Sequence, residues 1–496
     1  MEAMKWLPVL AAAAALFTAV VEGQVTRAPG SRAIIHEIGL PPIEGGLRDQ
    51  DPPRPARNSV NAAQFSKDGV EQLPYVPGSI IVKYENDADD FDIVAIPTTI
   101  DPEAAAAAMS RRSDVEFAQP RYRNYAMARP NDPMYVNQWN FPAIDMERAW
   151  DIQPGATSDI VVAVLDSGMA YRTLTVAYED RDGFTLNGRT FPPLGRVIVP
   201  FAAAPELGAS GSPRFVAPRD FIWNDDVPVD LDGHGTHVAG TIGQLTNNSA
   251  GVAGMAYNVR LMPVKVIEGI WDEVFGSPFV GTDDVVARGI RYAADNGAKI
   301  LNLSIGRTTG GLSPVVTEAI RYAVSRGCFV AVASGNTRDV GNQANRLAQP
   351  APDIEGMVAV AAVGRTLNLA YYSTTGSYVE IAAPGGDIRQ GGLSAGILQQ
   401  TLNFDLLETY DRALSQYGPP RADAFNFEFF QGTSMATPHV SGFAALLMQQ
   451  GITNPAAVEA AMKKFATDRG AAGRDNEYGY GLINPRATLR GLGLAK

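Results

Sequence analysis

The hydrophobic positions of this chain gather into short unbroken runs, separated by longer stretches of helical period. Ile160–Leu165, Cys328–Ala333 and Met357–Val363 carry no polar residue, the pattern of strands covered on both faces. Ile300–Ile305 and Tyr378–Ala382 are predicted as further strands. Between them lie helices. Asp283 to Asn296 places apolar or small residues at Val285, Gly289, Ile290, Ala293 and Ala294, with Thr282 as its expected cap and Gly297 to end it. Ser313 as cap, Pro314 at the first helical position and Gly327 past the end frame the next. Alternation of this kind predicts an α/β fold with a doubly wound parallel sheet and right-handed crossovers. Ligands bind such sheets beyond the carboxyl ends of the strands, near a switch point. Asp166 follows the strand Ile160–Leu165 and Asn336 follows the strand ending at Ala333, so both are candidates on position alone.

The first part of the chain reads differently. The apolar run Trp6–Val21 is alanine-rich, too short for a membrane span, and ends in small residues, so residues 1–23 are expected to be a signal peptide cleaved before Gln24. Met4 gives the cleaner start for such a segment. Residues 24–75 lack periodicity and are rich in Pro, Gly and Arg, as a flexible linker is. A small α+β module follows over 76–128. It has a strand from Gly78 to Tyr84, an apolar run Asp92–Ile96, a helix near Pro102–Arg111 and a last strand near Val115–Ala118. A charged break, Arg121–Tyr125, is expected to separate it from the main body, 129–496.

Composition narrows the field. The net charge of −12 argues against nucleic acid or an anionic membrane as partner, since both need a positive surface. Hydrophobic residues at 46% suffice for a large core. No membrane anchor is indicated, and export to the cell exterior or a periplasm is expected. The single cysteine, Cys328, excludes an intramolecular disulfide and reads as a packed small hydrophobe in its strand, not a nucleophile.

Three of the four histidines fall in or beside glycine-rich motifs. Gly432-Thr433-Ser434-Met435-Ala436-Thr437-Pro438-His439-Val440 sets a serine on a glycine turn where a helical run begins. Such a serine can cap the helix or present its hydroxyl among free backbone N–H groups. His234-Gly235-Thr236-His237-Val238-Ala239-Gly240-Thr241-Ile242 puts a histidine at the head of a helix, and Asp166-Ser167-Gly168 puts a carboxylate at a strand end. Nucleophilic acyl transfer needs these parts: a hydroxyl, an imidazole to take its proton, a carboxylate to orient the imidazole, and donors for the oxyanion. Ser434, His234 and Asp166 can form the triad. The amide of Asn336, in Ala333-Ser334-Gly335-Asn336, can join the Ser434 N–H as oxyanion donor.

The order Asp, His, Ser, with these four motifs, resembles the subtilisin-like serine peptidases over residues 129 to 490. The resemblance implies a subtilisin-like fold and an acyl-enzyme mechanism, with His234 as base and His237 and His439 structural. It implies peptide or protein substrates added as a strand along Ser304, Ile305 and Gly306. It makes the 76–128 module a propeptide that inhibits its own enzyme until autoprocessing, although Tyr84 to Phe91 is too short for the family's first helix. Relative to the family, stretches near 171–225 and 386–430 are insertions, the second with a predicted helix Phe404–Gln416. Both are expected near the cleft rim, to narrow access, to meet the propeptide, or as surface decoration. No cofactor is needed for the chemistry. A structural calcium is implied at Thr246–Val252, with Asn248 as an oxygen ligand. Asp230 and Asp232 are expected to acidify the cleft edge and favour a basic substrate residue, unless they form an ordinary solvated loop. A silent binding protein that keeps the fold and an esterase with little peptidase activity are the alternatives.

Overall fold

The computed structural model describes residues 75–85, 91–122 and 129–491. The expected signal peptide and linker, up to residue 74, lie outside the described residues, as do 86–90, where the family's first helix was in question. Chain contacts divide the protein into two units.

The smaller unit is built from β1 (Tyr75–Tyr84), β2 (Asp92–Ala95) and β3 (Val115–Tyr122), an antiparallel sheet in the order β2-β1-β3. Its helix, Pro102–Met109, starts on Asp101, whose carboxylate accepts from Glu103 N, with Pro102 in the first turn. Ile80, Val82, Ala106 and Val115 form its core. The sequence expectation of a charged break from Arg121 needs correction. Arg121 and Tyr122 continue β3, and Tyr122 pairs with Tyr75, so the first strand also begins before Gly78. On the face that carries Ile81, opposite this core, Ile93 and Phe117 stay 56% and 40% exposed.

The larger unit begins its sheet with β4 (Val161–Asp166). The first insertion supplies β5 (Leu174–Asp180), β6 (Phe184–Leu186), β7 (Arg189–Phe191) and β8 (Gly195–Phe201). Then follow β9 (Arg219–Asp220), β10 (Arg260–Lys265), β11 (Ile300–Leu303), β12 (Phe329–Ala333), β13 (Met357–Val363) and β14 (Ile381–Pro384). These make a seven-stranded sheet in the order β14-β13-β12-β11-β4-β10-β9, parallel throughout. The fold is doubly wound α/β. From β4 the chain goes to the edge strand β9 and returns to β10 beside β4, then crosses to β11 on the other side of β4 and runs outward from there. The switch therefore falls between β4 and β11, the strands that end at Asp166 and just before Ser304. Helices flank the sheet in packed pairs: His234–Gly243 with Thr433–Gln449, and Asp283–Asp295 with Pro314–Ser325.

Local expectations met different physics in three places. Ser313 caps its helix through Val316 N, but the Thr282 hydroxyl turns to Val280 O and Asp284 instead of capping. The strand expected at Tyr378–Ala382 pairs only from Ile381. The predicted helix Phe404–Gln416 stops at Leu407, whose carbonyl is taken by Trp271 Nε1 at 2.7 Å, and two short 3-10 turns follow.

The two insertions join. β5 pairs with β8 and β6 with β7, while β15 (Ile397–Leu402) pairs with β16 (Phe425–Phe430) in the second insertion. Phe184 and Phe191 of the first pack on Tyr410 and Tyr417 of the second, with Trp271 between them. Nor is the whole of 171–225 an appendage, because β9 is the edge strand of the main sheet.

Candidate active site

Asp166 is the last residue of β4 and fully buried. Its Oδ1 lies 2.6 Å from His234 Nδ1 and accepts from Ser167 N at 2.8 Å. Its Oδ2 is buried with no hydrogen-bond partner among the described residues. His234 opens its helix behind Gly233, which sits at φ +96°. The helix comes this close to β4 because residue 235 is glycine: a Cβ there would stand 2.1 Å from Gly168 O. Burial opposes the charged form of His234, yet Asp166, Asp232 and Asp230 together hold its pKa above the ordinary imidazole value.

Ser434 is 3% exposed and sits in the second position of the helix Thr433–Gln449. The N-cap is Gly432, which has no side chain to cap with, and the Ser434 hydroxyl turns to Ser304 instead of capping the helix. Its Oγ donates to Ser304 O at 3.0 Å, and Ser304 Oγ donates back to Ser434 O at 2.7 Å. Asn302 extends this link between β11 and the serine helix, bonding Ser304 Oγ and Ser441 Oγ. Asn336 lies beyond β12. Its Oδ1 accepts from Thr433 N and Thr433 Oγ1, both at 2.9 Å, which fixes the side chain beside the Ser434 turn. A Cβ on Gly432 would stand 3.5 Å from Asn336 Nδ2.

The other two described histidines are held neutral by burial, His237 pushed down to about 3 and His439 to about 4. His237 stacks on Phe430 at 4.2 Å, and its Nε2 meets Ile397 O and Glu428 O at 3.1 Å. His439 bonds Met435 O and Asn140.

Ser304, Ile305 and Gly306 follow β11 on the side of Ser434. The Ile305 carbonyl is occupied by Asn345 Nδ2 at 3.1 Å, and the same amide donates to Ala333 O at 2.7 Å. Gly306 is exposed, and any Cβ there would meet Asn345 at 2.1 Å.

Asn248 sits in a turn where its Oδ1 accepts from Ala250 N at 2.9 Å. Two carboxylates that sequence reasoning missed converge on this turn. Asp132 accepts from Asn247 N and Asn248 N, and the Glu206 oxygens lie 3.5 and 3.4 Å from Asn248 Nδ2. Burial, with the charge of Asp132 adding to it, raises the Glu206 pKa. Glu206 lies in the first insertion, where no local motif marks it. No cluster of three His, Cys, Asp or Glu suited to a metal occurs among the described residues.

Asp230 is not at a cleft edge, contrary to the sequence expectation. It is 1% exposed, and its carboxylate accepts from five donors around the start of the His234 helix. Asp232 is half-buried, bonds His234 N at 3.1 Å, and is pushed up to about 6 by burial and Asp230. Cys328 is buried, and that burial pushes its thiol up to about 11.

A parallel α/β sheet with a buried Asp–His pair at its switch point, the histidine on a helix packed against the one that begins at Thr433-Ser434, is the frame of a serine hydrolase. Residues 157–481 match the subtilase family, and the chain belongs to that family. It is 29% identical to the thermophilic serine proteinase of Bacillus sp. (strain AK1) over 96% of each chain. Thermitase of Thermoactinomyces vulgaris is 32% identical over 65% of this chain and 86% of its own. The extracellular protease of Xanthomonas campestris is 31% identical over 74% and 57%. A solved protease structure from Pseudoalteromonas arctica matches with TM-score 0.53 and 27% identity over 73% of this chain and 99% of that one. The protein is thus a serine-type endopeptidase acting on peptide bonds. No helix among the described residues is long and apolar enough to cross a membrane.

Proposed function

We propose that this chain is an exported endopeptidase that works through an acyl-enzyme on Ser434 and is made as an autoprocessed zymogen. The observation that carries the reading is the buried 2.6 Å contact between His234 Nδ1 and Asp166 Oδ1, on a helix packed against the one that holds Ser434. Ser434 Oγ leaves its bond to the Ser304 carbonyl, gives its proton to His234 Nε2 and attacks the scissile carbonyl carbon. Asp166 fixes the tautomer and stabilises the imidazolium. The oxyanion takes hydrogen bonds from Asn336 Nδ2 and Ser434 N. His234 then passes the proton to the leaving amine as the C–N bond breaks; water, deprotonated by the same imidazole, attacks the acyl carbon, and His234 returns that proton to Ser434 Oγ as the ester bond breaks and the acid leaves. The substrate lies as a strand along Ser304–Gly306, where the exposed Gly306 leaves the chain open.

Export rests on the apolar run Trp6–Val21. The propeptide role rests on the size and α+β build of the small unit, whose sheet leaves Ile93 and Phe117 exposed beside Lys83 and Gln119 on the face away from its core. N-terminal mass analysis of exported wild type beside Ser434→Ala tests both. Loss of residues up to about 122–129 in the wild type alone supports autoprocessing. Two full-length products after signal removal overturn it.

A structural calcium near the turn at Asn248 would draw its hard oxygen donors from Asp132 and Glu206, two carboxylates that face this turn; the Asn248 carboxamide gives its Oδ1 to Ala250 N and turns its Nδ2 to Glu206, so it would join the ion only after rotating. Bound, the ion would neutralise that pair and brace the loop that follows the His234 helix; it takes no part in the chemistry. Calcium held about 100-fold above its Kd stabilises the folded state by about 2.7 kcal/mol. A melting temperature unmoved by a chelator contradicts the site.

A further inference from the structure

We propose that Asp230 is a positioning residue for the reaction: its buried carboxylate ties the end of β4, which carries Asp166, to the first turn of the helix that carries His234. The inference rests on the catalytic reading above and adds a residue to it. Asp230 Oδ1 accepts from Ser167 Oγ at 3.0 Å, Asp232 N at 3.0 Å and Gly233 N at 2.8 Å. Its Oδ2 accepts from Thr236 N at 3.0 Å and Thr236 Oγ1 at 2.6 Å. A helix cap satisfies one or two free N–H groups. This carboxylate gathers three, with two hydroxyls from opposite sides of the site.

Those hydroxyls carry the coupling. Ser167 Oγ also accepts from Gly235 N at 3.0 Å, and Ser167 N holds Asp166 Oδ1 at 2.8 Å. Thr236 Oγ1 also accepts from Ala170 N at 3.0 Å. Asp166 and His234 therefore sit on two segments stitched together on both sides of their own 2.6 Å contact. Gly233, the N-cap, has no side chain to offer the helix, so Asp230 does that work from three residues away. Hydrogen bonds to an ionised carboxylate are roughly twice as strong as neutral ones, and a node with all acceptor directions filled holds its geometry.

The same residue acts on His234 through charge. Asp166 from β4, and Asp230 and Asp232 from the preceding loop, favour the imidazolium. On its own helix His237 is the nearby titratable group, and it is neutral at working pH. Lys265 on β10 faces Asp230 as well, but its ammonium is held by Asp272. Ser434 and its helix bring only the neutral His439. Removing the charge of Asp230 thus lowers the pKa of His234.

Asp230→Asn tests this at constant volume. Whichever way the amide turns, its NH₂ faces N–H or O–H donors, so half of the node opens. Steady-state hydrolysis of a chromogenic peptide by the processed enzyme should show kcat lower by about 10²-fold, the scale of a misplacement near 1 Å. KM should stay within about threefold, and the acid limb of kcat/KM should move to lower pH. Ser167→Ala, which opens only the β4 stitch, keeps the question answerable if Asp230→Asn does not fold. It should lose less, and the double variant should lose less than the product of the two. An active wild type beside variants of equal kcat and unmoved acid limb, with only a lower melting temperature, overturns the inference. A wild type inert in the same assay overturns the catalytic reading and this inference with it.

Discussion

Asn336 has one role in the structure and a second in the proposed mechanism, and two substitutions pull them apart. Its Oδ1 accepts from Thr433 N and Oγ1 at 2.9 Å, satisfying a free N–H at the start of the Ser434 helix. Its Nδ2 is the proposed oxyanion donor. Asn336→Ala removes both. Leaving buried donors without an acceptor costs about 1–3 kcal/mol of stability, and losing an oxyanion donor lowers kcat by about 10²–10³, a scale set by the corresponding asparagine of subtilisin itself. Asn336→Asp keeps an acceptor for Thr433 and replaces only the donor with an oxygen. It should melt close to the wild type yet lose at least as much kcat, because a negative charge then stands where the oxyanion forms. Thermal melts and steady-state hydrolysis of one peptide measure both quantities. Asn336→Asp with wild-type kcat would exclude Asn336 Nδ2 as the oxyanion donor, and so would an Asn336→Ala defect confined to KM.

Other outcomes follow from buried charge. Lys265 and Asp272 are both fully buried, 2.8 Å apart, and Asp272 also takes Trp223 Nε1 and Gly269 N. Asp272→Asn should cost about 3–5 kcal/mol by stranding the ammonium, read as a lower denaturant midpoint; a loss under 1 kcal/mol contradicts this. Burial holds His439 at about 4, below its ordinary value near 6.5, so the unfolded chain binds a proton there that the folded chain refuses. Its contribution is present above pH 6.5 and falls as pH drops toward 4, at up to about 1.4 kcal/mol per pH unit. Asp220 and Glu408, pushed up to about 8, run the opposite way, so the effect is read against a variant. His439→Gln should be less stable than wild type at pH 7.5, with a gap that narrows by pH 4.5. A constant gap contradicts it.

What the sequence made legible was whatever local patterning controls. Uninterrupted aliphatic runs placed β4, β12 and β13, and glycine-rich motifs placed Asp166 at a strand end and His234 and Ser434 at helix starts. Register among distant segments was not legible. Glu206 reaches Asn248 across 42 residues of sequence, from an insertion with no motif of its own. Asp230 looked like a solvated acid because charge alone argues for a surface. Its burial arises from five donors that converge only once β4 and the helix are packed. The helix expected through Gln416 ended at Leu407 because Trp271, far away in sequence, captures a carbonyl there, and tertiary context outweighed propensity.

If His234 and Asp166 activate Ser434 as a nucleophile, a fluorophosphonate will label it; the processed protein is treated with the reagent and the adduct mapped by mass spectrometry. One adduct per chain is expected, on Ser434, abolished in Ser434→Ala and strongly slowed in His234→Ala. An unlabelled wild type, or an adduct on another residue, would contradict that role for Ser434.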